Sequence, residues 1–190
     1  MAQPLCKLVL SFLMGVAMIS HSADFRYENT PQNLKALFER VHHEVHVKKD
    51  AKQAAALFGA LLPDEARAKK ALKDNIAPDT LQPILNMHQK LSGSITPQGV
   101  IKVARATQKE VRVQGANTED IIRYREGSVA FQAFPDGAKR VAAEALRAGT
   151  IFYEVEYLEP GKSAGMKYHL LYWDGKQWSM LGPVWRVLKQ

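Results

Sequence analysis

Residues 150–188 constrain the fold of this 190-residue chain more than any other stretch. From Ile151 to Leu158 the side chains alternate. Ile151, Tyr153, Val155 and Tyr157 fall on one side, and Phe152, Glu154, Glu156 and Leu158 on the other. A period of two is that of a strand with one buried face. After a loop over residues 160–165, Tyr168, Leu170 and Tyr172 alternate with Lys167, His169 and Leu171, and Asp174-Gly175 turns the chain into Trp178 and Met180. Three consecutive antiparallel strands are expected.

Register depends on the turn. A two-residue turn at Asp174-Gly175 would pair Leu171 with Trp178 and split the aromatic residues between the two faces. A three-residue loop of Trp173, Asp174 and left-handed Gly175 instead pairs Tyr172 with Lys176. It gathers Tyr168, Leu170, Tyr172, Trp178 and Met180 on one face, and this is the expected register. Gly182-Pro183 then breaks the chain, because proline has no N–H for a ladder, and residues 184–188 read as a final short strand. Such a meander needs something to cover its aromatic face.

The first half of the chain supplies helices. Thr30-Pro31 opens one, a hydroxyl cap before a proline whose missing N–H costs nothing at the first position, and Leu34, Leu37, Phe38, Val41 and Val45 form its apolar stripe. Residues 51–62 make a second, and Pro63-Asp64-Glu65 starts a third. A fourth is expected over residues 81–91, capped by Asp79 or Thr80, with Pro83 tolerated in the first turn. Residues 100–106 fit helix or strand equally. Val111 and Val113 mark a strand over residues 110–114, and Asn117 or Thr118 caps a short helix running to Arg125. A further helix is expected over residues 136–147, ended by Gly149. Helices, one early strand, more helix and then a run of strands give an α+β class, with helices on one face of an antiparallel sheet.

At 24% charged and 46% apolar residues, the chain fits one ordinary domain. Its single cysteine, Cys6, excludes an internal disulfide. Lys7 precedes an apolar run over residues 8–19 that ends in Ser20-His21-Ser22-Ala23, which is the pattern of a signal peptide over residues 1–22. A retained N-terminal helix is the competing reading. Export to the periplasm or the extracellular space is the expectation, with one domain over residues 23–190 and no stable membrane anchor once the leader is gone. The net charge of +7 becomes +6 without Lys7, and its lysines and arginines are scattered among acids. Nucleic-acid binding is therefore not expected.

The strands at residues 150–159, 166–173, 177–181 and 184–188, with residues 34–45 as a long helix, resemble the closing strands and first helix of the nuclear-transport-factor-2-like (cystatin-like, SnoaL-like) superfamily. The resemblance implies a curved sheet wrapped as a cone around N-terminal helices. Residues 92–135 depart from that pattern. The family hosts enzymes, binding modules and assembly domains, so it fixes no activity.

Three clusters are candidate sites. Glu39, His42 and His46 share one side of the first helix and offer ligands of the type zinc or iron takes, but His43-Glu44 followed by His46 misses the zinc-protease spacing. Boundary histidines beside a core stripe are the favoured reading, and no metal or other cofactor is expected. Glu154, Glu156, Lys167 and His169 share the second face of the meander. A carboxylate beside a histidine can exchange protons in a cleft, although solvated cross-strand pairs account for the same residues. The aromatic residues Tyr153, Tyr157, Tyr168, Tyr172, Trp178 and Trp185 either line a small-molecule pocket or form the core on which helices pack. Two functions follow. One is a non-catalytic module binding a small apolar molecule or a protein partner, a second copy of the chain included. The other is a cofactor-free SnoaL-like enzyme using Glu154, Glu156 and His169. The first is preferred, because those three residues read as solvated.

Overall fold

The computed structural model describes residues 28–96 and 104–188. The leader read over residues 1–22 and most of the ambiguous segment 100–106 lie outside them. Helix α1 spans Pro31–His43 and continues as one wider turn, Glu44–Lys48. Next come α2 (Ala51–Gly59), α3 (Glu65–Ala71) and α4 (Pro78–Ser94). Strand β1 (Glu110–Asn117) leads into α5 (Thr118–Arg123), α6 (Val129–Ala133) and α7 (Asp136–Glu144). Strands β2 (Ile151–Leu158), β3 (Met166–Trp173) and β4 (Trp178–Met180) follow.

Side-chain caps start most of the helices. The oxygens of Thr30, Asp50, Asp64, Asn117 and Ser128 accept from the backbone N–H three residues on, at 2.8–3.2 Å. Helix α4 begins at Pro78, ahead of the expected caps Asp79 and Thr80, so Pro83 lies beyond the first turn. What Pro83 forfeits is the bond to the carbonyl of Asp79, which is exposed and open to water. Helix α6 was not expected. Helix α7 stops at Glu144 instead of Arg147, because the next residues form a short antiparallel bridge, Leu72 to Leu146, flanked by Lys73 N–H to Ala145 O at 2.9 Å. Gly149, at φ 70°, serves the turn into β2 and does not end the helix.

The strands form one antiparallel sheet in chain order, β1-β2-β3-β4. Consecutive strands are neighbours, as expected for a meander. The β3–β4 register is not the expected one: Trp173 opposes Trp178, Tyr172 opposes Ser179 and Leu171 opposes Met180. Asp174 folds the four-residue connection by accepting from the N–H groups of Lys176 and Gln177 at 2.9 and 3.0 Å.

A bulge changes the faces as well. Tyr153 opposes Leu171 while Val155 opposes Tyr168, so β3 carries one extra residue, and Leu170 takes the left-handed conformation at φ 54°. Tyr168, Trp178 and Met180 consequently share a face with Tyr153, Val155 and Tyr157, whereas Leu170 and Tyr172 point to the other face with Phe152.

Helices cover both faces, not one. Leu34, Leu37, Phe38 and Val41 of α1 and Phe58 of α2 pack on the face of Tyr157, Tyr168 and Trp178. Tyr157 donates its hydroxyl to the carbonyl of Phe38 at 2.6 Å. The opposite face is covered by residues of α3, α4, α5, α6 and α7, which surround Phe152, Leu170 and Tyr172. Residues Val184–Arg186 form a turn of 3₁₀ helix where a strand was expected, since Gly182-Pro183 folds the chain back and Arg186 N–H finds Pro183 O at 3.0 Å.

His88 of α4 is 4% exposed and donates Nε2–H to Leu181 O at 2.9 Å, while its Nδ1 is buried without a partner among the described residues. Burial lowers its pKa from 6.5 despite that bond. The unfolded chain then takes up this proton more readily than the folded one, so the stability present above about pH 6.5 is lost as pH falls through the folded pKa. Denaturation midpoints should drop between about pH 7 and pH 5, and less steeply in His88→Gln. His42, lowered mainly by burial, adds a slope of the same sign that the variant keeps. Identical slopes for both proteins would show that His88 is readily charged when folded.

Candidate functional site

Strand β4 is only three residues long and covers β3 at Leu171–Trp173. Beyond it the chain adds two backbone bonds, Leu181 N–H to Leu170 O and Gly182 N–H to His169 O, and then turns away at Pro183. The start of β3 is therefore an open edge among the described residues. A cavity of about 530 Å³ lies there. Phe58 and Leu62 wall it from the α2 side, Leu91 and Ile95 from the end of α4, and Met166, Tyr168 and Met180 from the sheet. Lys167, His169 and Arg186 are the basic residues of its lining, and among the described residues no Asp or Glu belongs to it.

Behind His169 stands Glu154. The two approach across the bulge, with Nδ1 of His169 2.5 Å from Glu154 Oε2 and Leu170 N–H 3.4 Å from Oε1. The extra residue in β3 is what sets both His169 and Leu170 N–H opposite one carboxylate. Glu154 is 2% exposed. Burial raises its carboxyl above the ordinary 4.5, against the hydrogen bond and charge of His169, the Leu170 N–H and the charge of Lys167, all of which pull it down. The edge of His169 meets the Trp185 ring at 5.0 Å between centroids, and Trp185 in turn lies so close to Gly137 that a Cβ there would stand 2.4 Å from the indole. Packed against Trp185 and bound to Glu154, the imidazole keeps Nε2 without a partner among the described residues. A histidine oriented through Nδ1 by a buried carboxylate can accept or donate a proton at Nε2.

The expectation that Glu154, Glu156 and His169 are solvated is overturned. Glu156 is 4% exposed, accepting from Gly165 N–H at 2.7 Å and facing Arg112 at 3.5 Å. The cause is the second helical layer: α6 and α7 lie over this face, and Lys167 donates to Ala133 O of α6 at 3.1 Å. Of the six aromatic candidates, Tyr168 alone reaches the cavity. Tyr157, Tyr172 and Trp178 are at most 1% exposed within the two cores, Tyr153 is 8% exposed, and Trp185 belongs to the support of His169.

Glu39, His42 and His46 meet at a second cleft of about 620 Å³ with His43, Thr107 and Lys109. His42 and His46 lie 4.4 Å apart ring to ring, but the Nε2 of each is turned to a backbone carbonyl, Arg105 O at 3.2 Å and Ala104 O at 2.6 Å. Glu39 pairs with Lys35 at 3.7 Å. Among the described residues no three His, Cys, Asp or Glu side chains come close enough to hold a metal ion. The two histidines anchor the segment before β1 to α1.

Sequence reasoning missed the cavity residues Phe58, Leu62, Leu91, Ile95 and Arg186, since nothing local marks a helix end that will face a sheet edge. No helix among the described residues is long and apolar enough to cross a membrane. Comparison of the chain with known protein families, with curated proteins and with solved structures returns no match.

Proposed function

We propose that this chain is an exported small-ligand-binding protein, and that a largely apolar molecule occupies the cavity at the open edge of β3. One observation carries this: the cavity is walled by apolar side chains from α2, α4 and the sheet, while both sheet faces are otherwise filled with packed side chains. Cavities of this size with a few convergent polar groups are the usual form of small-molecule sites. Export rests on the charge, apolar core and small residues of positions 1–22. A nuclear-transport-factor-2-like ancestry is supported by the long α1 lying on an antiparallel sheet that closes as a sequential meander, although the helical layer on the second face departs from it.

The apolar fluorophore 1-aminoanthracene tests the site. Saturable one-to-one binding is expected, weakened about tenfold by Ile95→Trp, which fills the cavity from its rim. Absence of saturable binding up to the probe's solubility limit would sink the proposal.

A cofactor-free proton-transfer enzyme is the second reading, favoured by the Glu154–His169 pair beside the cavity. It requires turnover of a cavity ligand that Glu154→Gln abolishes while leaving binding intact. Glu156 is expected to act only structurally, because its oxygens are engaged by Gly165 and Arg112.

A further inference from the structure

We infer that the occupant of the β3-edge cavity is an amphipathic anion, an apolar tail carrying a carboxylate-type head group held by Lys167, His169 and Arg186. The inference rests on the ligand-binding proposal and adds the chemical class of the ligand. Its basis is the charge of the lining. Lys167 and Arg186 both line the cavity, neither forms an ion pair among the described residues, and no Asp or Glu shares the lining with them. Lys167 spends one donor on Ala133 O and has two left. Arg186 is exposed and makes no side-chain hydrogen bond among the described residues, so its planar fork is available for a bidentate acceptor.

Glu154 is not part of the lining. It lies behind His169, almost fully buried, with its oxygens turned to His169 and the Leu170 N–H. Burial raises its carboxyl above the ordinary value, which favours the uncharged form. Two cations at the cavity, Lys167 partly buried and Arg186 exposed, then remain without an ion-pair partner among the described residues, and they attract an anion. The tail has its place in the same cavity, against Phe58, Leu62, Leu91 and Ile95. A neutral head group would gain no charge-assisted bond from Lys167 or Arg186, and a cationic one would be repelled.

Calorimetric titration of the full-length protein with sodium decanoate, 1-decanol and decyltrimethylammonium, each below its micellar concentration, decides the matter. Decanoate is expected to bind one-to-one, decanol about tenfold more weakly or worse, and the ammonium not at all. Arg186→Gln, at an exposed position, should weaken decanoate about tenfold and leave decanol unchanged, and Lys167→Met should do the same. If decanol binds as well as decanoate, or Arg186→Gln affects both alike, the charge assignment fails while the cavity stands as a ligand site. Should none of the three bind, both proposals fall. Co-sedimentation with anionic phospholipid vesicles but no binding of free decanoate would equally overturn it, by assigning the cations to a membrane surface.

Discussion

Arg67→Ala is expected to destabilise the protein by about 3–5 kcal/mol, the usual cost of leaving one partner of a buried charge pair behind. Arg67 reaches from α3 into the β3–β4 turn, where Nε meets Asp174 Oδ2 at 2.6 Å. Its terminal nitrogens donate to the carbonyls of Leu62, Ala60 and Trp178 at 3.0–3.1 Å and to Ser179 Oγ at 2.5 Å. The Asp174 side chain is 3% exposed and also accepts from the Ser179 hydroxyl at 2.7 Å. Burial alone would raise its carboxyl, but the hydrogen bonds from Arg67, Ser179 and the turn N–H groups win and hold it below 3.8. Stability from this group is therefore present above about pH 4 and lost as pH falls through the lower folded pKa. Urea denaturation at neutral pH measures the effect. A loss under about 1 kcal/mol would mean that water replaces the guanidinium and that the pair behaves as an exposed one.

A loss of similar size, about 3–5 kcal/mol, is expected for Trp178→Ala. Trp178 is 1% exposed and meets Tyr153 and Trp173 edge-on at 5.4 and 5.5 Å. Its indole N–H donates to Asn33 Oδ1 of α1 at 3.1 Å. Because it stands in the shortest strand, removing it empties the core exactly where few backbone bonds hold the sheet edge. Trp178→Phe keeps a ring and loses chiefly the hydrogen bond, so a smaller cost of about 1–3 kcal/mol should follow, most of it from the orphaned Asn33 amide. Asn33→Ala combined with Trp178→Phe should cost less than the sum of the two. Strict additivity would show that the Asn33–Trp178 bond contributes nothing in solution.

Legibility varied along the chain for identifiable reasons. Period-two alternation placed β2 at its observed bounds, and the caps Thr30 and Asn117 announced α1 and α5. The division of Tyr168 and Tyr172 between two faces was beyond the pattern, because it turns on a bulge at Leu170, a leucine in a conformation for which no local residue choice is a signal. Alternation did bring Glu154 and His169 to one face, but their burial depends on α6 and α7, and α6 is a single turn with no amphipathic stripe to read. Residues 184–188 show how little five residues decide: Val184 and Leu188 suit either a strand or a tight helical turn, and the preceding Gly182, at φ 75°, settles which.

The bond between Asn33 and Trp178 spans 145 positions, and the one between Phe38 and Tyr157 spans 119. During synthesis at about 5–20 residues per second, α1 therefore waits roughly 7–30 seconds for the strand that binds Asn33. Until β1 is made, Leu34, Leu37, Phe38 and Val41 have none of their final sheet partners, and Tyr157, Tyr168 and Trp178 reach them only at the end of the interval. The time between making α1 and closing the sheet over it is the window in which a nascent chain of this protein is most open to chaperones and to aggregation.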